Sequence, residues 1–198
     1  SESLSELMNS CRIIFLCVGT PSKKNGLADL SYIYKFINDL EKIKFRGRKL
    51  ICIKSTIPPG STEKLTKLLL KKKLTNKVSL SFSPEFLREG YAWEDTIKPD
   101  RIVIGSSNNI DKNLLNRIFK KFSKTIYYTT PTEAEYLKYI SNTFLATLIS
   151  YSNEIKMISG RIGEINLKKI LDIFYLDKRW SGSPAKMTSY VLPGSGFG

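Results

Sequence analysis

Apolar residues fall along this chain in two alternating rhythms. Short, nearly continuous apolar runs occur at Arg12–Val18, Lys49–Lys54, Val78–Phe82, Arg101–Gly105 and Thr125–Tyr128. Each is rich in Ile, Val, Phe or Leu, the pattern of a strand covered on both faces. Between them, Leu30–Phe45, Ser61–Leu74 and Ile110–Phe122 read as helices with an apolar stripe. Strands alternating with helices predict βαβ units and a mostly parallel α/β sheet.

The rhythm changes at Pro131. From Thr132 to Gly160, the apolar positions Ala134, Leu137, Ile140, Phe144, Leu148, Tyr151, Ile155 and Ile158 step by three or four, which predicts one long helix. A second helix is expected over Asn166–Tyr175 and a third around Pro184–Ser189, with no further strand. The expected division is therefore an α/β domain over 1–130 and an all-α segment over 131–198.

Composition narrows the chemistry. The 198 residues are 41% hydrophobic and 25% charged, as in an ordinary globular protein of one domain or one and a half. No apolar run approaches the roughly 18 residues of a membrane span, so no membrane partner is expected. There is no histidine, which excludes Ser-His-Asp and Cys-His catalysis and His-ligated zinc. No metal site is expected. Cys11, Cys17 and Cys52 lack CxxC spacing; two lie inside apolar runs and read as reduced core thiols, pointing to the cytoplasm. The net charge of +14 suits nucleic acid, membrane phosphate or an anionic small substrate. It is spread along the chain, with one dense cluster at Lys71–Lys73, and a solvated lysine-rich face is the simpler reading.

Three predicted strand ends carry small polar residues and prolines, at the carboxyl edge where open α/β sheets bind ligands. They are Val18-Gly19-Thr20-Pro21, then Lys54-Ser55-Thr56-Ile57-Pro58-Pro59-Gly60, then Ser83-Pro84-Glu85-Phe86-Leu87-Arg88-Glu89-Gly90. A lone Ser or Thr there is more often a helix cap than a catalyst, and Ser83 followed by Pro84 is itself a good cap. Three in succession form a rim. Glu85 and Glu89, four apart, are expected on one helix face. They are either first-turn carboxylates favoured by the helix dipole or a pair that manages protons. On the long helix, Lys138 and Asn142 are also four apart. Lys138 lies among Tyr136, Leu137, Tyr139 and Ile140, where an ammonium is partly desolvated and suited to a developing oxyanion. The end of the chain, Gly194-Ser195-Gly196-Phe197-Gly198, imitates a dinucleotide fingerprint, but no strand precedes it and no helix follows; a backbone-donor loop over a substrate fits better.

Taken together, VGTP, KSTIPPG, SPEFLREG, PDRIVIG, EYLKYISNTFLATLISYSNEI, the Asp177-Lys178-Arg179 triplet and LPGSGFG resemble the UDP-glucose/GDP-mannose dehydrogenase family over residues 11–198. The resemblance implies a partial Rossmann-like sheet followed by an all-α dimerisation segment. It implies an NAD-dependent oxidation of a nucleotide sugar, UDP-glucose to UDP-glucuronate, by two hydride transfers through a cysteine thiohemiacetal and thioester. By the same resemblance Val18, Thr20, Pro21, Ser55, Thr56 and Glu89 would contact NAD, and Thr56 would also sit near the catalytic water. Glu85 would serve acid-base work in thioester hydrolysis, and Lys138 and Asn142 would stabilise the oxyanion. Phe86, Leu87, Arg88 and Glu89 would hold the sugar nucleotide through their backbone, alongside Glu85, Lys138 and Asn142. Leu192, Pro193, Gly194, Ser195, Gly196, Phe197 and Gly198 would close over the nucleotide. Arg179 would reach a neighbouring subunit's substrate, and the helix over 132–160 would build a homodimer.

Three departures from the family pattern follow. The family's catalytic cysteine comes after GFGG and none of the three cysteines here takes its place; the first βαβ unit with its GxGxxG loop is absent; and Ser83 stands where Asn is usual. The chain is thus expected to be an internal segment that does not complete the reaction alone. Gly90 favours UDP-glucose, with GDP-mannose or a UDP-N-acetylhexosamine as the alternative within the family. A basic nucleic-acid-binding module or a non-catalytic dimerisation scaffold are alternatives of other classes; the order of the site motifs speaks against both, and no nucleic-acid partner is expected.

Overall fold

The computed structural model describes residues 3–174 and residue 176. In chain order it contains α1 (Leu4–Ser10), β1 (Ile13–Leu16), α2 (Ser31–Asp39), β2 (Lys49–Ile53), α3 (Ser61–Lys71), β3 (Val78–Phe82), α4 (Ala92–Ile97), β4 (Ile102–Ser106), α5 (Asn109–Phe119), β5 (Ile126–Thr129), α6 (Pro131–Ile162) and α7 (Leu167–Phe174). The chain divides into two compact units, 1–143 and 144–198, and the division falls within α6.

In the first unit the five strands form one sheet in sequence order. Pairing is parallel between β1 and β2, β2 and β3, and β4 and β5, and antiparallel between β3 and β4. The antiparallel register, Phe82 against Gly105 and Ser81 against Ser106, brings the end of β4 beside the end of β3. β2 is buried along its whole length because both faces are covered. One face packs Ile14, Leu16, Ile51, Ile53, Leu80 and Phe82 against Ile33 and Ile37 of α2 and Leu65 and Leu69 of α3. The other packs Leu50, Cys52, Ile102 and Ile104 against Leu115 of α5. All five predicted strands are present.

The helices end where the backbone stops them rather than where the apolar pattern does. α2 stops at Asp39 and passes into a single 3-10 turn, Leu40–Lys42. The apolar pattern runs on because Phe45 is buried from an irregular segment. α3 stops at Lys71, short of Leu74, where Lys73 takes a left-handed φ of 55°. α6 begins one residue before Thr132 and ends two residues after Gly160, and is terminated by Gly163 at φ 80°. Within the second unit, Phe144, Leu148, Tyr151 and Ile158 of the predicted stripe are exposed, as are Ile170 and Ile173 of α7. The expected third helix around Pro184–Ser189 lies outside the described residues.

Candidate active site

Three loops follow β1, β2 and β3 at the carboxyl edge of the parallel strands, and hydrogen bonds join the first two. Ser55 Oγ donates to the Val18 carbonyl at 2.6 Å, and Thr20 Oγ1 donates to the Thr56 carbonyl at 2.8 Å. Both loops are therefore anchored through main-chain oxygens, and Ile57 is buried beneath them. Val18 and Thr20 are half-buried and Pro21 is exposed. The space where a side chain would stand on Gly19 is open. Small uncharged side chains around an unobstructed glycine fit the close approach of a dinucleotide, so Val18, Thr20, Pro21, Ser55 and Thr56 suit an NAD site.

The third loop meets α6. Lys138 Nζ donates to the Glu85 carbonyl at 2.6 Å and to Glu85 Oε2 at 3.0 Å. Lys138 is 6% exposed, whereas the Glu85 side chain is 36% exposed, so the pair points one buried cation at one accessible carboxylate. The ammonium also lies 5.5 Å from the Phe86 ring centroid, and the Arg101 guanidinium lies 4.2 Å from the same ring. Lys54 Nζ reaches the Pro84 carbonyl at 3.4 Å, and burial pulls its ammonium below the ordinary lysine range.

These lysines correct one expectation. Residues 83–88 are irregular and Glu89 lies in a turn, so Glu85 and Glu89 do not share a helix face; the next helix begins at Ala92. The carbonyls of Pro84 and Glu85, which a helix would use for its own ladder, are instead taken by Lys54 and Lys138. Gly90 at φ 82° then turns the chain into α4. Arg88 is fixed by Asp95, which accepts from its main-chain N–H at 2.8 Å and from its guanidinium at 2.6 Å. This pairing holds the Asp95 carboxyl below the usual range. Leu87 and Glu89 are exposed.

Ser83 Oγ is buried and has no hydrogen-bond partner, although its main-chain N–H donates to the Ile53 carbonyl at 3.0 Å. Asn142 is exposed on α6, four residues beyond Lys138. Arg179 and Leu192–Gly198 lie outside the described residues. Among the described residues no cluster of His, Cys, Asp and Glu is arranged to hold a metal.

Glu135 was missed in the sequence. It is buried in the first turns of α6 and accepts from the Gly60 N–H at 2.5 Å and the Thr62 N–H at 2.7 Å, at the start of α3. Burial raises its carboxyl above the usual carboxylate range, against the lowering effect of the donors from Thr62, Gly60 and Ser61. The available signal was its position three residues before Lys138 and directly after the apolar-stripe residue Ala134, a place where a solvated glutamate does not belong.

A mostly parallel sheet with its polar loops at the carboxyl edge defines a Rossmann-like, dinucleotide-binding class of protein. Residues 1–123 match the NAD binding domain of the UDP-glucose/GDP-mannose dehydrogenase family, and residues 132–198 match that family's central domain. The chain belongs to this family. It is 39% identical over 199 aligned residues to the UDP-glucose 6-dehydrogenase of Rickettsia bellii, covering 98% of this chain and 43% of that protein. Among solved structures it is similar to a UDP-glucose dehydrogenase from Pyrobaculum islandicum, with 37% identity, a TM-score of 0.81, and 90% of this chain and 42% of the other covered. It is also similar to a GDP-mannose dehydrogenase from Pseudomonas aeruginosa, with 27% identity, a TM-score of 0.77, and coverage of 91% and 42%. The chain thus spans about two fifths of the length of the relatives it matches.

Proposed function

We propose that the whole protein to which these residues belong oxidises UDP-glucose to UDP-glucuronate with NAD. The observation that carries this reading is the pairing of buried Lys138 with Glu85 beside the rim loops. NAD, held by Val18, Thr20, Pro21, Ser55 and Thr56, would supply the hydride acceptor for the sugar carbon. An ammonium has three N–H donors; Glu85 takes two from Lys138, and the third serves the oxygen that gains negative charge as the reaction proceeds. Asn142, on the same side of α6, supplies an amide donor to that oxygen. Glu85, accessible on its other side, takes the proton from the hydrolytic water, with Thr56 close by. The Phe86–Glu89 main chain, fixed through Arg88 and Asp95, holds the nucleotide sugar.

Cys52 is buried in β2 and its thiol is pushed up to about 12 by burial, so it does not serve as the nucleophile. A cysteine elsewhere in the protein forms the thiohemiacetal and thioester. Arg179 and Leu192–Gly198 complete the substrate site, and the exposed apolar face of α6 forms a homodimer. The boundary between a cofactor domain over 1–130 and a helical domain over 131–198 is part of the same reading. The cytoplasm is the proposed compartment, on the strength of three free cysteines; no helix among the described residues is long and apolar enough to cross a membrane. Gly90 is explained by its turn at φ 82°, so the preference for UDP-glucose rests on the relatives' names and not on that glycine. Initial rates of NADH formation by the full-length protein with UDP-glucose, UDP-N-acetylhexosamines and GDP-mannose test the assignment. UDP-glucose is expected to give the highest kcat/KM, and a higher value for any of the others would reassign the substrate.

A further inference from the structure

α3 lacks a cap from its own sequence. Its N-terminal flank is Gly60 at φ 82°, which carries no side chain to accept from the free N–H groups of the first turn. Those groups are served instead by a wholly buried carboxylate more than seventy residues away, Glu135, through Gly60 N–H at 2.5 Å and Thr62 N–H at 2.7 Å. At φ 82° position 60 favours glycine, so no side-chain cap stands there and the need is met from α6 instead. A local cap, however, fixes only α3. A carboxylate from α6 fixes α3 relative to α6.

The neighbouring contacts give that link a use. Three residues along the same face of α6, Lys138 grips Glu85. Two adjacent positions on one rigid helix therefore hold two successive rim loops, Glu135 the loop after β2 and Lys138 the loop after β3. The β2 loop is short and tethered at its far end by Ser55 to Val18 and by Thr20 to the Thr56 carbonyl, so its geometry is set once Gly60 and Thr62 are held. We propose that Glu135 is a positioning residue, clamping the start of α3 to α6 so that Thr56 stands in register with Lys138 and Glu85. The proposal rests on the dehydrogenase reading above and gives that site a part outside the reacting groups.

The test uses the full-length protein with two variants. Glu135→Gln keeps the shape but turns an NH2 toward one of the two main-chain donors. Glu135→Asp keeps the charge but retracts it by a methylene. Hydrogen exchange resolved to peptides is expected to speed up around residues 60–62 in both, with β2 and β3 protected as in the wild type. kcat is expected to fall by about 100-fold in Glu135→Gln, the scale of a misplacement of about 1 Å. A smaller fall is expected in Glu135→Asp, with KM for UDP-glucose unchanged in both. Wild-type kcat alongside faster exchange at 60–62 would overturn the proposal, as would unchanged exchange there. Loss of protection throughout the sheet in both variants would also overturn it, by making Glu135 a folding residue. Absence of turnover by the wild type with any nucleotide sugar would instead overturn the dehydrogenase reading, and the exchange data would still report on the clamp.

Discussion

Lys138 and Glu85 are 53 positions apart in sequence, yet the lysine ammonium holds both the carbonyl and the carboxylate of the glutamate, at 2.6 and 3.0 Å. The lysine comes from a helix and the glutamate from the irregular loop after β3. Their meeting depends on the antiparallel register of β3 and β4, which returns the chain to the end of β3 before α6 begins.

Replacing Lys138 by Met keeps most of the buried stem and removes the ammonium. In the full-length protein, kcat is expected to fall by at least about 100-fold, the scale of losing one donor to a developing oxyanion. Steady-state rates with saturating UDP-glucose and NAD check this, and a loss confined to KM would assign Lys138 to ground-state binding.

The seat of α6 on the sheet is tight at Gly105. A Cβ there would stand 2.8 Å from the Ala134 Cβ and 2.9 Å from both the Pro131 Cα and the Thr130 carbonyl oxygen. Gly105→Ala is therefore expected to destabilise the fold by about 1–3 kcal/mol, as overpacking does. It should also lower activity by shifting Glu135 and Lys138 together. Denaturant unfolding followed by kinetics at a temperature where the variant is folded separates the two effects.

Ser83 Oγ is buried without a partner. An unsatisfied buried hydroxyl is a cost to the fold, so Ser83→Ala is expected to raise stability by about 1 kcal/mol. A fall in the unfolding midpoint would show that the hydroxyl is satisfied in solution.

The cysteines differ in exposure: Cys17 is exposed and Cys52 is buried in β2. The Cys52 thiol, raised to about 12, holds its proton at every working pH. At about pH 8 almost none of it is thiolate, and its burial also keeps a reagent away. Iodoacetamide labelling read by peptide mass is expected to modify Cys17 first and Cys52 only after unfolding.

The strands were legible because each is a short, nearly continuous apolar run that marks itself in the local sequence, as β2 shows most fully. The rim was legible for the same reason: Thr20, Ser55 and Thr56 follow strands whose ends were plain. The conformation of residues 83–89 was not, because Lys54 and Lys138 take the carbonyls of Pro84 and Glu85 from far along the chain. Local sequence contains the cap and the proline of a helix but not the competing cations. α4 escaped notice because Ala92–Ile97 is short, has no side-chain cap and buries no residue. Glu135 escaped because an acidic residue near a helix start normally needs no explanation beyond the helix dipole.

The activity proposed for the whole protein is two successive oxidations of one nucleotide sugar. The most direct measurement supplies the full-length protein with limiting UDP-glucose and excess NAD and counts NADH formed per sugar consumed. The account predicts two NADH per UDP-glucose, with UDP-glucuronate as the product. One NADH with accumulation of the aldehyde, or none at all, would contradict it.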